Sequence, residues 1–214
     1  MAEPMRSRIV RIDPSGPQEE DLRTLGGILA ADGVMAYPTE TFYGLGAICF
    51  SKKAVRRVFR LKARDAGKPL SLIVSDIDMI ERIAAEPPPI FLTLAGEFWP
   101  GPLTLVLKAA PSFPPELAGP GHTVAVRIPP AAWLRELVAE IGLPITATSA
   151  NVSGEKEISE PAEILRLFDG KVDVIVDGGP TPGGLPSTIV DISGDRPRVL
   201  RDGAVPASAL SAFL

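Results

Sequence analysis

Residues 33–74 constrain the fold more tightly than any other segment, because a strand, a turn, a helix and a second strand must fit within one short span. Val34, Met35, Ala36 and Tyr37 make an apolar strand that stops at Pro38, since proline has no N–H for a ladder and restricts the residue before it. Thr39, Glu40, Thr41 and Tyr43 then give a hydroxyl-rich loop. Gly44 and Gly46 allow a turn or a close backbone approach, and Ser51 is placed to cap the helix that begins there. In that helix Val55, Val58 and Phe59 recur at the spacing of one buried face, while Arg56, Arg57 and Arg60 fall mainly elsewhere. The segment therefore predicts a loop between a strand end and a helix start, with one helix face packed and the other cationic.

Positive charge is concentrated here. Positions 52–68 hold eight Lys or Arg against one acid, Asp65, in a chain whose formal net charge is -4. A Lys/Arg run on an amphipathic helix is ordinarily a solvated face, which is the plain reading of Arg56, Arg57 and Arg60. Lys62 and Arg64 are two apart, so in extended chain they point the same way, and Lys68 follows before a strand at 70–74. Such cations beside hydroxyls suit a multiply charged anion such as a nucleoside triphosphate.

Further segments follow in order: PGPLTLVL at 100–107, TVAVRIP at 123–129, TSANVSG at 148–154, PSTIVD at 186–191 and VLRDG at 199–203. Together with PTETFYGLG at 38–46, Lys62-x-Arg64 and Lys68-Pro69-Leu70, they span about residues 9–205 and resemble the YrdC/TsaC family of threonylcarbamoyl-AMP synthases. The resemblance implies an α/β fold, a YrdC-like twisted mixed β-sheet flanked by helices with a concave basic substrate cleft, as a single domain over 1–214. It also implies a nucleotidyltransferase that joins L-threonine, bicarbonate and ATP into threonylcarbamoyl-AMP and pyrophosphate. The product would serve threonylcarbamoyladenosine (t6A) modification of tRNA through a downstream tRNA threonylcarbamoyl transferase complex. Longer family members carry an extra C-terminal domain, and a chain of 214 residues is expected to lack it.

Carried over residue by residue, the resemblance gives Lys62 and Arg64 catalytic roles, with Lys62 lining the phosphate or bicarbonate path. Thr41, Arg127, Thr148 and Ser187 would hold L-threonine; Arg64, Lys68, Thr123, Ser149, Asn151 and Arg201 would hold ATP. Mg2+ would ride on the phosphates, with no protein metal site. Two positions depart from the family pattern. Ile73 stands where many long-form members have a histidine that contacts threonine, and Pro130-Ala131 replace an acid and a histidine.

Read without the resemblance, several of these residues keep two meanings. Arg127 ends an apolar strand before Ile128-Pro129, where a guanidinium is either a carboxylate clamp or a surface cap. Thr148 to Gly154 offers small hydroxyl and amide groups for a ligand, or an ordinary Asx or Ser turn. The Gly- and Pro-rich segment 177–186 reads as a mobile surface loop or as a cover for substrate hinged at Gly183 and Gly184.

Other residues exclude function classes. With one His and one Cys, histidine triads and Cys/His metal sites have almost no material, and no G-x-x-x-x-G-K-[ST] or G-x-G-x-x-G loop is present. His122 reads as a solvated loop residue and Cys49, between Ile48 and Phe50, as a packed one. No signal-peptide core and no run long enough for a membrane span occurs, which predicts a soluble cytoplasmic protein. One rival reading is an RNA-binding or ribosome-maturation module using the same basic surface for weak tRNA contact, although few aromatics lie beside the cluster. A second is carbamoyl transfer, as in hydrogenase maturation carbamoyltransferases, which are longer and carry zinc-binding cysteines that this chain lacks.

Hydrophobic periodicity predicts strands at 8–12, 103–108, 123–128, 145–147, 172–176 and from Arg198 onward. It predicts helices at 19–31, 76–84, 91–99, 131–141, 163–168 and 206–213.

Overall fold

The computed structural model describes residues 6–63 and 69–213. In chain order these form β1 (Arg8–Arg11), α1 (Glu19–Ala30), β2 (Met35–Pro38), β3 (Tyr43–Gly46), α2 (Lys52–Leu61), β4 (Ser71–Ile73), a 3-10 segment (Asp78–Arg82) and α3 (Ile90–Phe98). There follow β5 (Leu103–Lys108), β6 (Thr123–Arg127), α4 (Ala132–Ile141), β7 (Ile145–Ser149), α5 (Pro161–Phe168), β8 (Val174–Asp177), β9 (Thr188–Asp191), β10 (Arg198–Arg201) and α6 (Ala207–Leu210).

The helices end where local chemistry ends them. Ser51 Oγ accepts from Ala54 N at 3.1 Å and caps α2, α5 opens on Pro161, and α4 stops at Gly142 with φ 69°. Three acids in the first turn of α1 face its positive end. Beyond α1, Gly33 lies so close to Ile28 that a Cβ would sit 2.4 Å from its carbonyl oxygen, so no larger residue fits the return into β2.

Among the described residues ten strands make one sheet, ordered β1-β8-β2-β3-β7-β4-β6-β5-β9-β10. Pairs β1·β8, β2·β8, β4·β6 and β5·β9 are parallel and the others antiparallel, so the sheet is mixed, as the resemblance implies. Antiparallel β7 pairs with both β3 and β4 and so joins the two halves. The buried apolar side chains form one contiguous core, in which Tyr37 meets Trp133 of α4 edge-on with ring centres 6.4 Å apart.

Several expectations need correction. Residues 39–50 are not wholly loop, because Tyr43–Gly46 is a strand paired antiparallel with β2. The glycines that suggested a turn serve close packing instead. A Cβ on Gly44 would lie 3.1 Å from the Tyr37 ring and one on Gly46 2.8 Å from it, so the tyrosine lies where side chains of β3 would be. Residues 76–84 make only a short 3-10 segment. Asp76 accepts from Met79 N at 2.9 Å, and Ile83 and Ala85 are already bonded to Ala110 and Lys108 near β5, which leaves no room for a longer helix. Thr188–Asp191, foreseen only as a motif, is a sheet strand between β5 and β10. His122 is half-buried with φ 57°, its Nε2 3.0 Å from Ala110 O, rather than solvated.

Candidate active site

Alternate residues of a strand share one face. Thr104 and Val106 of β5, Ala125 and Arg127 of β6, and Ala147 and Ser149 of β7 all bring that face to a single cleft of about 550 Å³. The turn after β2 supplies Thr39 and Thr41, β4 supplies Ser71, and the approach to β9 supplies Ser187, with Arg201 from β10. Register fixes the neighbours: Ile73 pairs with Arg127 and Gly44 with Ser149. Ile73 is fully buried beside Arg127, so this chain sets an apolar neighbour there.

Thr41, Arg127, Thr148, Ser149, Ser187 and Arg201, which lie far apart along the sequence, therefore converge on one hollow. Lys62, Asn151 and Thr123 do not line it. The Lys62 ammonium, 2 % exposed, lies beneath the 149–151 turn. It donates to Ser149 O at 2.5 Å, to Asn151 O at 2.9 Å and to Asn151 Oδ1 at 2.9 Å. Ser149 Oγ donates to Asn151 Oδ1 at 2.6 Å, and Asn151 Nδ2 to Glu155 O at 2.6 Å. The turn is thus pinned from below, and its serine is presented to the cleft. Thr123 is buried, its Oγ1 bonded to Pro120 O at 3.1 Å. Arg64 and Lys68 lie outside the described residues.

Part of the lining is a hydrogen-bonded chain. Arg201 donates from Nε and Nη2 to Ser187 O at 3.1 and 2.7 Å and from Nη2 to Ser187 Oγ at 3.0 Å. Ser187 Oγ shares a 2.8 Å hydrogen bond with Thr104 Oγ1. Thr104 was not singled out in the sequence. Its signal is there nonetheless, as a hydroxyl on the face opposite Leu103 and Leu105 in an otherwise apolar strand.

One strand over from Thr104, Arg127 of β6 pairs with Glu40, whose role no motif in the sequence reveals. Burial pushes the Tyr37 phenol up, with the Arg127 charge opposing and the Glu40 charge adding. Burial likewise pushes Tyr43 up to about 12, and its Oη donates to Gly179 O at 2.8 Å. The 177–186 segment is tied here, not free. Gly183 N donates to Thr41 O at 2.7 Å and Thr181 N to Ser159 O at 3.0 Å, while Gly183 and Gly184 take φ of 75° and 105° that glycine alone accepts easily.

The basic helix behaves differently from the cleft. Arg57 pairs with Asp173 at 2.7 Å, Lys52 with Glu116 at 2.7 Å and Lys53 with Asp32 at 3.8 Å, while Arg56 and Arg60 are exposed. Cys49 is fully buried, and burial pushes its thiol up to about 12, consistent with packing.

The Sua5_yciO_yrdC family model, described as "Telomere recombination", matches residues 27–203. The chain belongs to the Sua5/YciO/YrdC family. A threonylcarbamoyl-AMP synthase of Pyrococcus abyssi is 38 % identical over 189 residues, 88 % of this chain and 56 % of the relative. One of Bacillus subtilis is 34 % identical over 203 residues, 94 % of this chain and 59 % of the relative. This family chain therefore spans somewhat over half the length of those two relatives. The crystal structure of P. abyssi Sua5 complexed with L-threonine superposes with a TM-score of 0.91 at 35 % identity, over 97 % of this chain and 61 % of that one. Both the mixed sheet and the flanking helices are thus those of the family.

Proposed function

We propose that this chain is an L-threonylcarbamoyladenylate synthase. It would form threonylcarbamoyl-AMP and pyrophosphate from L-threonine, bicarbonate and ATP for t6A modification of tRNA. The observation that carries the reading is the convergence of Thr41, Arg127, Thr148, Ser149, Ser187 and Arg201 on one cleft. The P. abyssi relative solved with L-threonine supports the amino-acid half.

The chemistry asks for positioning more than for a protein nucleophile. An amino acid must be held with its amine free to take up bicarbonate as a carbamate. That carbamate must face the α-phosphorus, and the charge of departing pyrophosphate must be neutralised. Arg127, at the cleft wall, suits the α-carboxylate as a charge-assisted donor, and Thr41, Thr148 and Ser187 offer hydroxyls around it. Ser149 and Arg201 suit the nucleotide, with Arg64, Lys68 and Thr123 assigned to it by the resemblance. Lys62 and Asn151 act by holding the turn that presents Ser149. Because Arg201 is hooked to Ser187, nucleotide and amino-acid halves share one hydrogen-bonded wall. Among the described residues no three His, Cys, Asp or Glu side chains come together. Mg2+ in this proposal therefore travels with the triphosphate and no residue is assigned to it.

The test is pyrophosphate release with ATP, magnesium, bicarbonate and single amino acids. Release that requires threonine is the expected result. Release only with carbamoyl phosphate would replace this reading by carbamoyl transfer, and salt-sensitive RNA binding with no release would replace it by the binding module. Among the described residues no helix is long and apolar enough to cross a membrane, and the reading assigns the chain to the cytoplasm.

A further inference from the structure

Arg127, on which the amino-acid half of the proposed function rests, is already engaged from one side: its Nη1 donates to Glu40 Oε1. Both side chains are largely covered, 11 % and 19 % exposed. Glu40 stands on the turn between β2 and β3, and that turn is braced by its own threonines. Thr39 Oγ1 donates to Phe42 O at 2.7 Å and accepts from Thr41 N at 3.2 Å. Glu40 is not part of the cleft wall, whereas Arg127 is.

Two buried side-chain polar atoms among the described residues have no hydrogen-bond partner, Tyr37 Oη and Glu40 Oε2. Glu40 Oε2 is the second oxygen of the carboxylate that holds Arg127, and Tyr37 lines the same cleft as Arg127. Folds rarely leave such atoms unsatisfied, because each buried polar group without a partner costs stability. Glu40 Oε2 is covered and Glu40 is no part of the cleft lining, to which Tyr37 belongs. The Glu40 carboxylate serves the guanidinium.

We propose that Glu40 is a positioning residue for Arg127: it grips one edge of the guanidinium from behind and so leaves the remaining donors aimed at a carboxylate ligand in the cleft. A guanidinium is planar with donors in a fixed fork, so fixing one edge fixes the direction of the others. Under the proposed function that ligand is the α-carboxylate of the amino acid, and this inference rests on that reading for the identity of the ligand. The pairing itself does not depend on it.

Two measurements test it. In the free chain, nitrogen-detected NMR of the arginine side chains should show distinct Nη signals for Arg127, because a gripped guanidinium rotates slowly. In Glu40→Ala they should merge into the averaged arginine signals, and in Glu40→Gln, which keeps an acceptor of the same reach, they should remain partly resolved. In the pyrophosphate assay Glu40→Ala should raise the threonine KM by about 30-fold and Glu40→Gln by about 5-fold, with the ATP KM unchanged. Adding Glu40→Ala to Arg127→Ala should cost nothing more, because the group it positions is gone. A merely structural ion pair predicts another pattern, equal rises for both substrates together with a lowered melting temperature, and that pattern would overturn the assignment. So would Nη signals already averaged in the unmodified chain. Signals that behave as expected in a chain showing no threonine-dependent release would discard the proposed reaction and keep the positioning role.

Discussion

On α2, Lys52, Lys53 and Arg57 each face an acid contributed by a different segment, and Arg56 and Arg60 face solvent. In the cleft, Arg127 and Arg201 come from two strands and reach the same hollow, Glu40 bracing the first and Ser187 the second. The helix holds the higher density of charge along the sequence, and the cleft holds the convergent charge. Exposed ion pairs such as Lys52–Glu116 contribute little and are screened, whereas a largely covered guanidinium facing a cavity, as that of Arg127 does, can take up an anion strongly. A run of cations in a sequence is therefore a weaker pointer to a binding site than an arginine at the end of an apolar strand, as Arg127 is.

The sharpest way to break that contrast is Arg127→Ala. Loss of a covered, charge-assisted clamp should raise the threonine requirement by about 100-fold while ATP affinity stays within about twofold. Equal weakening of both, followed by titration calorimetry, would dissolve the division of the cleft into two halves.

Next in size is Lys62→Met, which tests whether a buried cation works by holding backbone. Ser149 O and both oxygens of Asn151 would lose the hydrogen bond from the ammonium, Oδ1 keeping that from Ser149 Oγ, at a cost of about 3 kcal/mol, or a fall in melting temperature of about 6–12 °C by calorimetry. Nucleotide binding should weaken with it, because the Ser149 turn is no longer fixed.

A pH titration of stability probes the core between the two regions. Burial raises the Cys49 thiol from 9.0 to about 12, so its contribution is complete below pH 9 and is lost as pH rises toward 12, where the unfolded thiol ionises and the folded one resists. Tyr37 and Tyr43 act in the same direction. Cys49→Ala should flatten the decline in melting temperature over that window; an unchanged slope would assign the decline to the tyrosines. The smallest effect is expected from Arg56→Gln and Arg60→Gln. Stability should move by less than about 0.5 kcal/mol and neither substrate requirement should change. A tenfold loss of activity from either would return the helix to the functional surface.

Much of the fold was legible from pattern alone. Alternation marked β5 over its full length, and β6 to within one residue, and the 3.6-residue period marked α1 and α4 within a residue at each end and α2 at its start, because each of these elements buries one face against a continuous core. The failures share a cause. Tyr43–Gly46 looked like loop since glycine is a poor strand former, but β2 and β7 supply its ladder and the Tyr37 ring needs its missing side chains. At 76–84 the apolar period was present, yet hydrogen bonds to the end of β5 and the residues just after it cut the helix short. Within the site, the hydroxyls and arginines of the motifs were visible as residue types. Glu40 was visible too, but nothing in P-T-E-T says that its partner is an arginine on a strand far along the chain.

What the sequence determined by itself was the inventory: short apolar strands, capped helices, small hydroxyls at strand ends, and too few His and Cys for the commoner catalytic clusters. Those follow from local sterics and from burial of one face, which a single segment carries in its own spacing. The tertiary structure decided which cations were paired and which faced the cavity, that Lys62 serves the backbone of a remote turn, and that Glu40 reaches Arg127. Such outcomes depend on the register of β7 between β3 and β4 and of β6 beside β4 and β5, and register is a property of neighbouring strands that no one strand encodes.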